Sequence, residues 1–412
     1  MNSRVGAHTP ATTELLVQLT LLVVLAVAFL YRPLIVLALV CGLVAWGSDP
    51  RRKYVFLVAG CLLLCVLNAT KTVDGDLVNY VNMQNYLTGR PLLVLLDPNA
   101  LIAISPTYRA SEIGFYGTEW LLAQLFESTG ASIAIAATLA IYVPTFIAIV
   151  MLGRVKGWND RLTIIIALLA FLGAVNFNNT THLIRQYVSA SLLFLALVYF
   201  FGGRKWTAAA WAIIACSVHN GTAYVALCFV TLAALFPYGR PFWRRPWSSL
   251  FRLMLAIGVW GGSVVLLWMR ELSGLLEQSD ITIWRYLGTV LLFTVFLYFA
   301  RARRMDRADY YLCLAFAVGL FISGCFFAMR LQVMALRYYV YLEWLYAPMV
   351  AGILCAIPRR HLSVYLASRW LVCCAALCVF VLRLYNSAWL YGPGSERVLS
   401  LNAREVMEYV GM

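Results

Sequence analysis

Charge is what this chain has least of. Of its 412 residues 12% are charged against 63% hydrophobic, and the mean hydropathy is +0.81. That balance excludes a soluble globular protein of this size. The short alternating segments of a membrane β-barrel are also missing, as are internal repeats, low-complexity tracts and any stretch that reads as a soluble domain. The eleven cysteines, Cys61, Cys65, Cys216 and Cys373 among them, lie in or beside apolar segments without a Cys-x-x-Cys pair or neighbouring histidines. They read as packing residues and not as metal ligands. No small-residue cleavage site follows the N-terminal region, so the first apolar stretch reads as a retained helix.

What the chain does have is apolar runs of about 15 to 22 residues, recurring from Leu15 to Leu382. Helices are the expected spanning form, because lipid offers backbone groups no partner. The fold class is therefore all-α, a polytopic transmembrane bundle of roughly 13 helices counted from runs near spanning length. Most of the net charge of +14 sits in six short loops, at 51–53, 154–161, 204–205, 240–252, 301–307 and 359–360. That pattern is the positive-inside signature and places those loops in the cytoplasm, which argues against a nucleic-acid partner. Residues 1–412 read as a single integral membrane domain, and 68–130 as an extracytoplasmic loop carrying an in-plane amphipathic helix at 112–127. Were 112–127 to cross the membrane, every later basic loop would be inverted. The runs at 206–216 and 222–236 are short for a bilayer and read as a hairpin with Ser217-Val218-His219-Asn220-Gly221 at its tip.

With the basic loops set aside, the opposite face retains Asp74, Asp76, Arg109, Glu112, Glu119, His182, Arg185, His219, Asn220, Asp280, Arg330 and Arg337. Asp74 and Asp76 match either a D-x-D metal-binding pair or an ordinary turn and cap, and Asp76 shares a helical face with Tyr80. Arg185 reads either as a helix-end snorkelling or ion-paired residue or as a fork for phosphate oxygens. Arg330 and Arg337 are seven apart, so they stack on one helical face with Tyr341. Like charges so placed repel unless an anion lies between them. His219 is either a satisfied structural histidine or a base whose near-neutral pKa suits a sugar hydroxyl.

Together these residues resemble the EpsG family. The resemblance is carried by Asp76-x-x-x-Tyr80 with Tyr86, Glu112-x-Gly114-Phe115, Arg185-Gln186 with Ser189-Ala190, the basic turn Arg204-Lys205, and Val218-His219-Asn220-Gly221-Thr222. That family groups with Wzy-type polysaccharide polymerases and the wider GT-C glycosyltransferases. The resemblance implies a GT-C-like enzyme of the bacterial inner membrane that extends an exopolysaccharide from undecaprenyl-diphosphate-linked oligosaccharides at the outer face. Chain-length regulator and flippase proteins are its implied partners.

On this reading Arg185, Arg330 and Arg337 hold the diphosphate. His219 is the base, with Asp76 or Glu112 as the alternative. Asp74, Tyr80, Arg109, Gln186, Asn220 and Tyr341 complete the substrate-binding set, and Tyr116 and Trp120 extend the saccharide groove. No cofactor is required, although Asp74 and Asp76 leave a divalent metal open. The rival readings are a lipid-linked oligosaccharide flippase or permease, and a GT-C enzyme that adds one sugar from a polyprenyl-phosphate donor.

Overall fold

The computed structural model describes residues 23–410 apart from 25, 47–50, 74, 106–107, 127–128, 240–249, 253, 256–257, 259–260, 263–282, 304, 330, 358–361, 387–394 and 399. Asp74, Asp280, Arg330 and most of the expected spans at 15–30 and 253–269 therefore lie partly or wholly outside the described residues. The described chain is helical, with no strand among the described residues. Among the described residues seven helices are long and apolar enough to cross a membrane. The remaining apolar helices are shorter or interrupted.

In chain order, α1 (Pro33–Trp46) and α2 (Arg52–Ala69) pair as a hairpin, and three short helices follow: α3 (Asp76–Leu87), α4 (Pro98–Ile104) and α5 (Ile113–Leu125). The long α6 (Gly130–Lys156) starts in a reciprocal cap between Thr129 and Ser132 and stops at Gly157, whose φ of 64° is left-handed. It carries Pro144, which cannot bond back to Ala140, and the Ser191 hydroxyl donates to the freed Ala140 carbonyl at 3.4 Å. Then come α7 (Asp160–Leu168), α8 (Ile184–Phe201), α9 (Lys205–Val218), α10 (Asn220–Leu235), α11 (Ile283–Ala302), α12 (Arg307–Ala328), α13 (Gln332–Ala356) and α14 (Leu362–Asn386). The terminal pieces are α15 (Ser395–Val398) and α16 (Ala403–Val410).

The helix at the centre is α8. It packs on α6, α9, α10 and α13, and its apolar window is 83% buried, against 17% for α11 and α14. Lys156 at the end of α6 pairs with Asp306 and, at 2.8 Å, with Asp309 at the start of α12, while Lys53 lies 3.7 Å from Asp160. These pairs gather the basic helix ends on one side of the bundle. The short helices α3 to α5 and the α9–α10 junction lie at the other.

The helix α5 has 13 residues and packs on α3 and α9. Ile113, Leu121 and Leu125 are exposed, whereas Glu119 points inward with Phe115 and Tyr116. The physical reason is that its inward face meets Arg185 and its outward face does not meet the bundle.

Between α7 and α8 the helical path breaks. A π-turn at Leu169–Ala174 is followed by extended residues and a 3-10 turn at Phe177–Thr181, all largely buried. Buried backbone outside a helix needs partners from elsewhere. Arg383 donates to the Val175 carbonyl at 2.6 Å and to that of Ala174 at 3.3 Å. Lys71 donates to the Phe177 and Asn178 carbonyls at 2.8 and 2.9 Å, and Glu343 accepts the Asn176 N–H at 2.9 Å. Three ionisable side chains thus fix the break that leads into Arg185.

Candidate functional site

Four local features bring the polar residues together. The break before α8 sets Arg185 in its first turn. The peptide at His219 is extended, with φ −150° and ψ 124°, so α9 ends and α10 begins on that one residue. Glu112 stands at the N-cap of α5, yet its carboxylate makes no capping bond to its own helix. Finally, Gly114 lets α5 close on α9, since a Cβ there would lie 2.2 Å from Ser217 Oγ and 3.1 Å from the Ser217 backbone carbon.

Glu112 is the hub. It is 1% exposed. Its Oε2 accepts from Arg185 at 2.5 Å, and its Oε1 faces His219 Nδ1 at 2.7 Å and accepts the Asn220 N–H at 3.2 Å. The second of these places a carboxylate against the positive end of α10. Burial pushes the Glu112 carboxyl up, but the His219 hydrogen bond, the Arg185 guanidinium and the Asn220 N–H together hold it below the usual carboxylate range. Arg185 also donates to the Tyr116 hydroxyl at 3.1 Å and stands 6.0 Å from the Phe115 and Tyr116 ring centres.

A carboxylate opposite Nδ1 keeps the imidazole proton on Nδ1 and leaves Nε2 as the acceptor. Nε2 has no hydrogen-bond partner among the described residues. Gly221 leaves it space, for a Cβ at that position would come within 3.0 Å of Nε2. The arrangement offers an oriented base, a buried ion pair behind it, and an accessible cavity in front.

That cavity has a volume of about 210 Å³. Ten of the residues singled out from sequence line it: Asp76, Tyr80 and Arg109 from the region of the short helices, Glu112, Arg185 and Gln186, His219 and Asn220, and Arg337 with Tyr341 from α13. Asp74 and Arg330 lie outside the described residues. Trp120 does not reach the cavity and instead donates to the Arg90 carbonyl at 2.8 Å, and Tyr116 is buried behind Arg185.

Convergence is not equivalent to availability. The Gln186 amide donates to the Arg337 carbonyl, and the Tyr341 hydroxyl bonds Thr222 at 2.7 Å, which in turn donates to Ser189 at 2.8 Å. Both residues fasten helices as well as lining the cavity. Arg337 differs, because no described carboxylate lies within ion-pair distance of it.

Sequence reasoning passed over Tyr224, Met334 and Tyr338, which also line the cavity, with the Tyr338 and Tyr341 rings stacked at 6.3 Å. Their signal was helical spacing. Tyr224 stands one turn after Asn220, and Met334, Arg337, Tyr338 and Tyr341 fall at intervals of three and four.

Glu119 sits behind Arg185. Burial raises its carboxyl to about 8 against the opposing charge of Arg185, and neither oxygen has a hydrogen-bond partner among the described residues. Among the described residues no three His, Cys, Asp or Glu side chains converge as a metal cluster.

A sequence model described as the EpsG family matches residues 53–391. Searches of curated proteins and of solved structures found no match.

Proposed function

The chain belongs to the EpsG family, the family of Wzy-type polysaccharide polymerases, and on that premise we propose that it is a GT-C-like glycosyltransferase of the bacterial inner membrane. Its donor is a growing chain on undecaprenyl diphosphate, and its acceptor is a lipid-linked repeat unit. On this reading the cavity faces the outer leaflet, which the basic helix ends at the other end of the bundle support.

In this mechanism His219 Nε2 takes the proton of the acceptor hydroxyl as its oxygen bonds to the donor's anomeric carbon. The bond from that carbon to the diphosphate oxygen breaks, and the diphosphate leaves with the electron pair. Glu112 orients the imidazole and stabilises the imidazolium that forms. Arg337, with Arg109, supplies positive charge to the leaving diphosphate. Arg185 holds Glu112 in place and shares the same field. After release, the proton on His219 passes to the diphosphate or to water, which returns the base. A divalent metal has no step in this scheme.

The observation that carries the reading is Glu112 bridging Arg185 and His219 on the wall of one polar cavity. The test is complementation of a polymerase-null strain at matched membrane abundance. His219→Ala and Arg337→Ala are each expected to abolish long polymer while lipid-linked single repeat units accumulate. Normal polymer from both variants would remove the assignment.

A further inference from the structure

A second cluster of arginines lies at the opposite end of the bundle, where the ends of α6, α7, α11, α13 and α14 meet. Lys156 there is matched by Asp306 and Asp309, so both of those carboxylates are already engaged. Arg303, just past α11, and Arg369, in α14, have no described carboxylate within ion-pair distance. Arg369 is 4% exposed; its guanidinium donates to the Tyr365 hydroxyl and lies 4.0 Å from the centre of that ring. Arg303 donates to the Gly352 carbonyl at 2.5 Å. Among the described residues the buried Nε–H of each arginine finds no partner.

The two flank α13: Arg303 bonds Gly352 on it, and α14, the helix that carries Arg369, packs against it. Both act electrostatically on Cys355, and Arg161 at the start of α7 repels Arg369. Unmatched guanidiniums with orphaned N–H groups are costly when buried. An anion carrying several acceptor oxygens would relieve the repulsion and satisfy both N–H groups at once. The surface beside Arg369 indicates where such an anion comes from. Leu366, Trp370 and Leu371 are exposed on α14, an apolar face suited to acyl chains.

We infer that this corner is a phosphate-binding site, occupied by the headgroup of an acidic phospholipid, with Arg303 and Arg369 as its two forks. The site is separate from the polar cavity and does not rest on the polymerase reading.

The test uses full-length purified protein. Native mass spectrometry after exchange into micelles with equal phosphatidylglycerol and phosphatidylethanolamine reads lipid retention. Thermal unfolding of delipidated protein, titrated with each lipid and with inorganic phosphate, reads the source of the phosphate. Phosphatidylglycerol is expected to be retained selectively. Arg303→Gln and Arg369→Gln should each weaken that retention about fivefold, the equivalent of about 1 kcal/mol per basic residue. Arg369→Lys keeps most of it.

If Arg369→Gln fails to give monodisperse protein, the less buried Arg303→Gln carries the test. Protection by inorganic phosphate with the same arginine dependence, without preference between the lipids, overturns the lipid assignment in favour of a soluble phosphate. Equal retention of both lipids by wild type and variants, with no phosphate protection, overturns the site itself.

Discussion

Glu112→Gln changes one atom and should disable the site. The carboxylate receives three donors, from Arg185 at 2.5 Å, His219 at 2.7 Å and the Asn220 N–H at 3.2 Å. A glutamine amide offers one acceptor oxygen and one NH₂ group, so one side must face donor to donor. In either orientation the buried guanidinium loses its counter-charge, and breaking such a pair costs about 3–5 kcal/mol; if the NH₂ turns to Arg185, donor also faces donor there. If it turns to His219, Nδ1 must accept, and the ring proton moves to Nε2, where the base should be. Loss of the correct tautomer lowers turnover on the order of 10⁴-fold in a comparable triad. The assay is the initial rate of polymer formation by purified protein from lipid-linked repeat units, with thermal unfolding measured on the same sample. The expected rate loss is at least about 10²-fold, the lower end of general-base contributions, with substrate binding less affected. A Glu112→Gln enzyme that polymerises within threefold of wild type would refute the dyad. Because the fold keeps Glu112 ionised below its ordinary 4.5, the stability it contributes is present above that pH and fades as acid protonates it.

Three further outcomes follow from the same geometry. Gly114→Ala places a Cβ against Ser217 and should drive α5 off α9, separating Glu112 from His219; activity should fall at least tenfold with the helix content by circular dichroism unchanged. Gly221→Ala crowds His219 Nε2, so it should raise the KM for the acceptor or lower kcat while leaving the unfolding midpoint within a few degrees. Glu119 stays protonated in the fold up to about 8 but ionises near 4.5 when unfolded, so stability is greatest below 4.5 and falls as pH rises toward 8. The slope is about 1.4 kcal/mol per pH unit. Glu119→Gln should remove it and exceed wild type by roughly 3 kcal/mol near neutral pH; parallel pH–stability curves for the two proteins would contradict this.

Much of the cavity wall was legible because polar residues are conspicuous in so apolar a chain. Asp76 with Tyr80, and Arg337 with Tyr341, share helical faces that spacing alone indicates, and all four line the cavity. The pairing within the cavity was not legible. Glu112 lies 73 residues from Arg185 and 107 from His219, and nothing local ties one to another. Read singly, Arg185 allowed either a helix-end ion pair or a phosphate fork, and Glu112 was a spare base; the structure pairs the two, and nothing in the sequence named Glu112 as the partner. Spans were harder still. The run at 162–175 looks continuous in hydropathy, but the chain breaks through a π-turn because Arg383, Lys71 and Glu343 supply partners for the opened backbone. Those partners stand in other helices, where sequence shows only isolated charges. The steric need for Gly114 was equally hidden, since it depends on how closely α9 approaches.

The central claim is that the cavity itself joins saccharide units on a lipid diphosphate, and it is tested most directly by product length. Purified protein in liposomes, given only undecaprenyl-diphosphate-linked repeat units, should yield a ladder of lipid-linked polymer that His219→Ala does not form. A single added sugar, or movement of the lipid-linked unit across the bilayer without any longer product, would contradict the account.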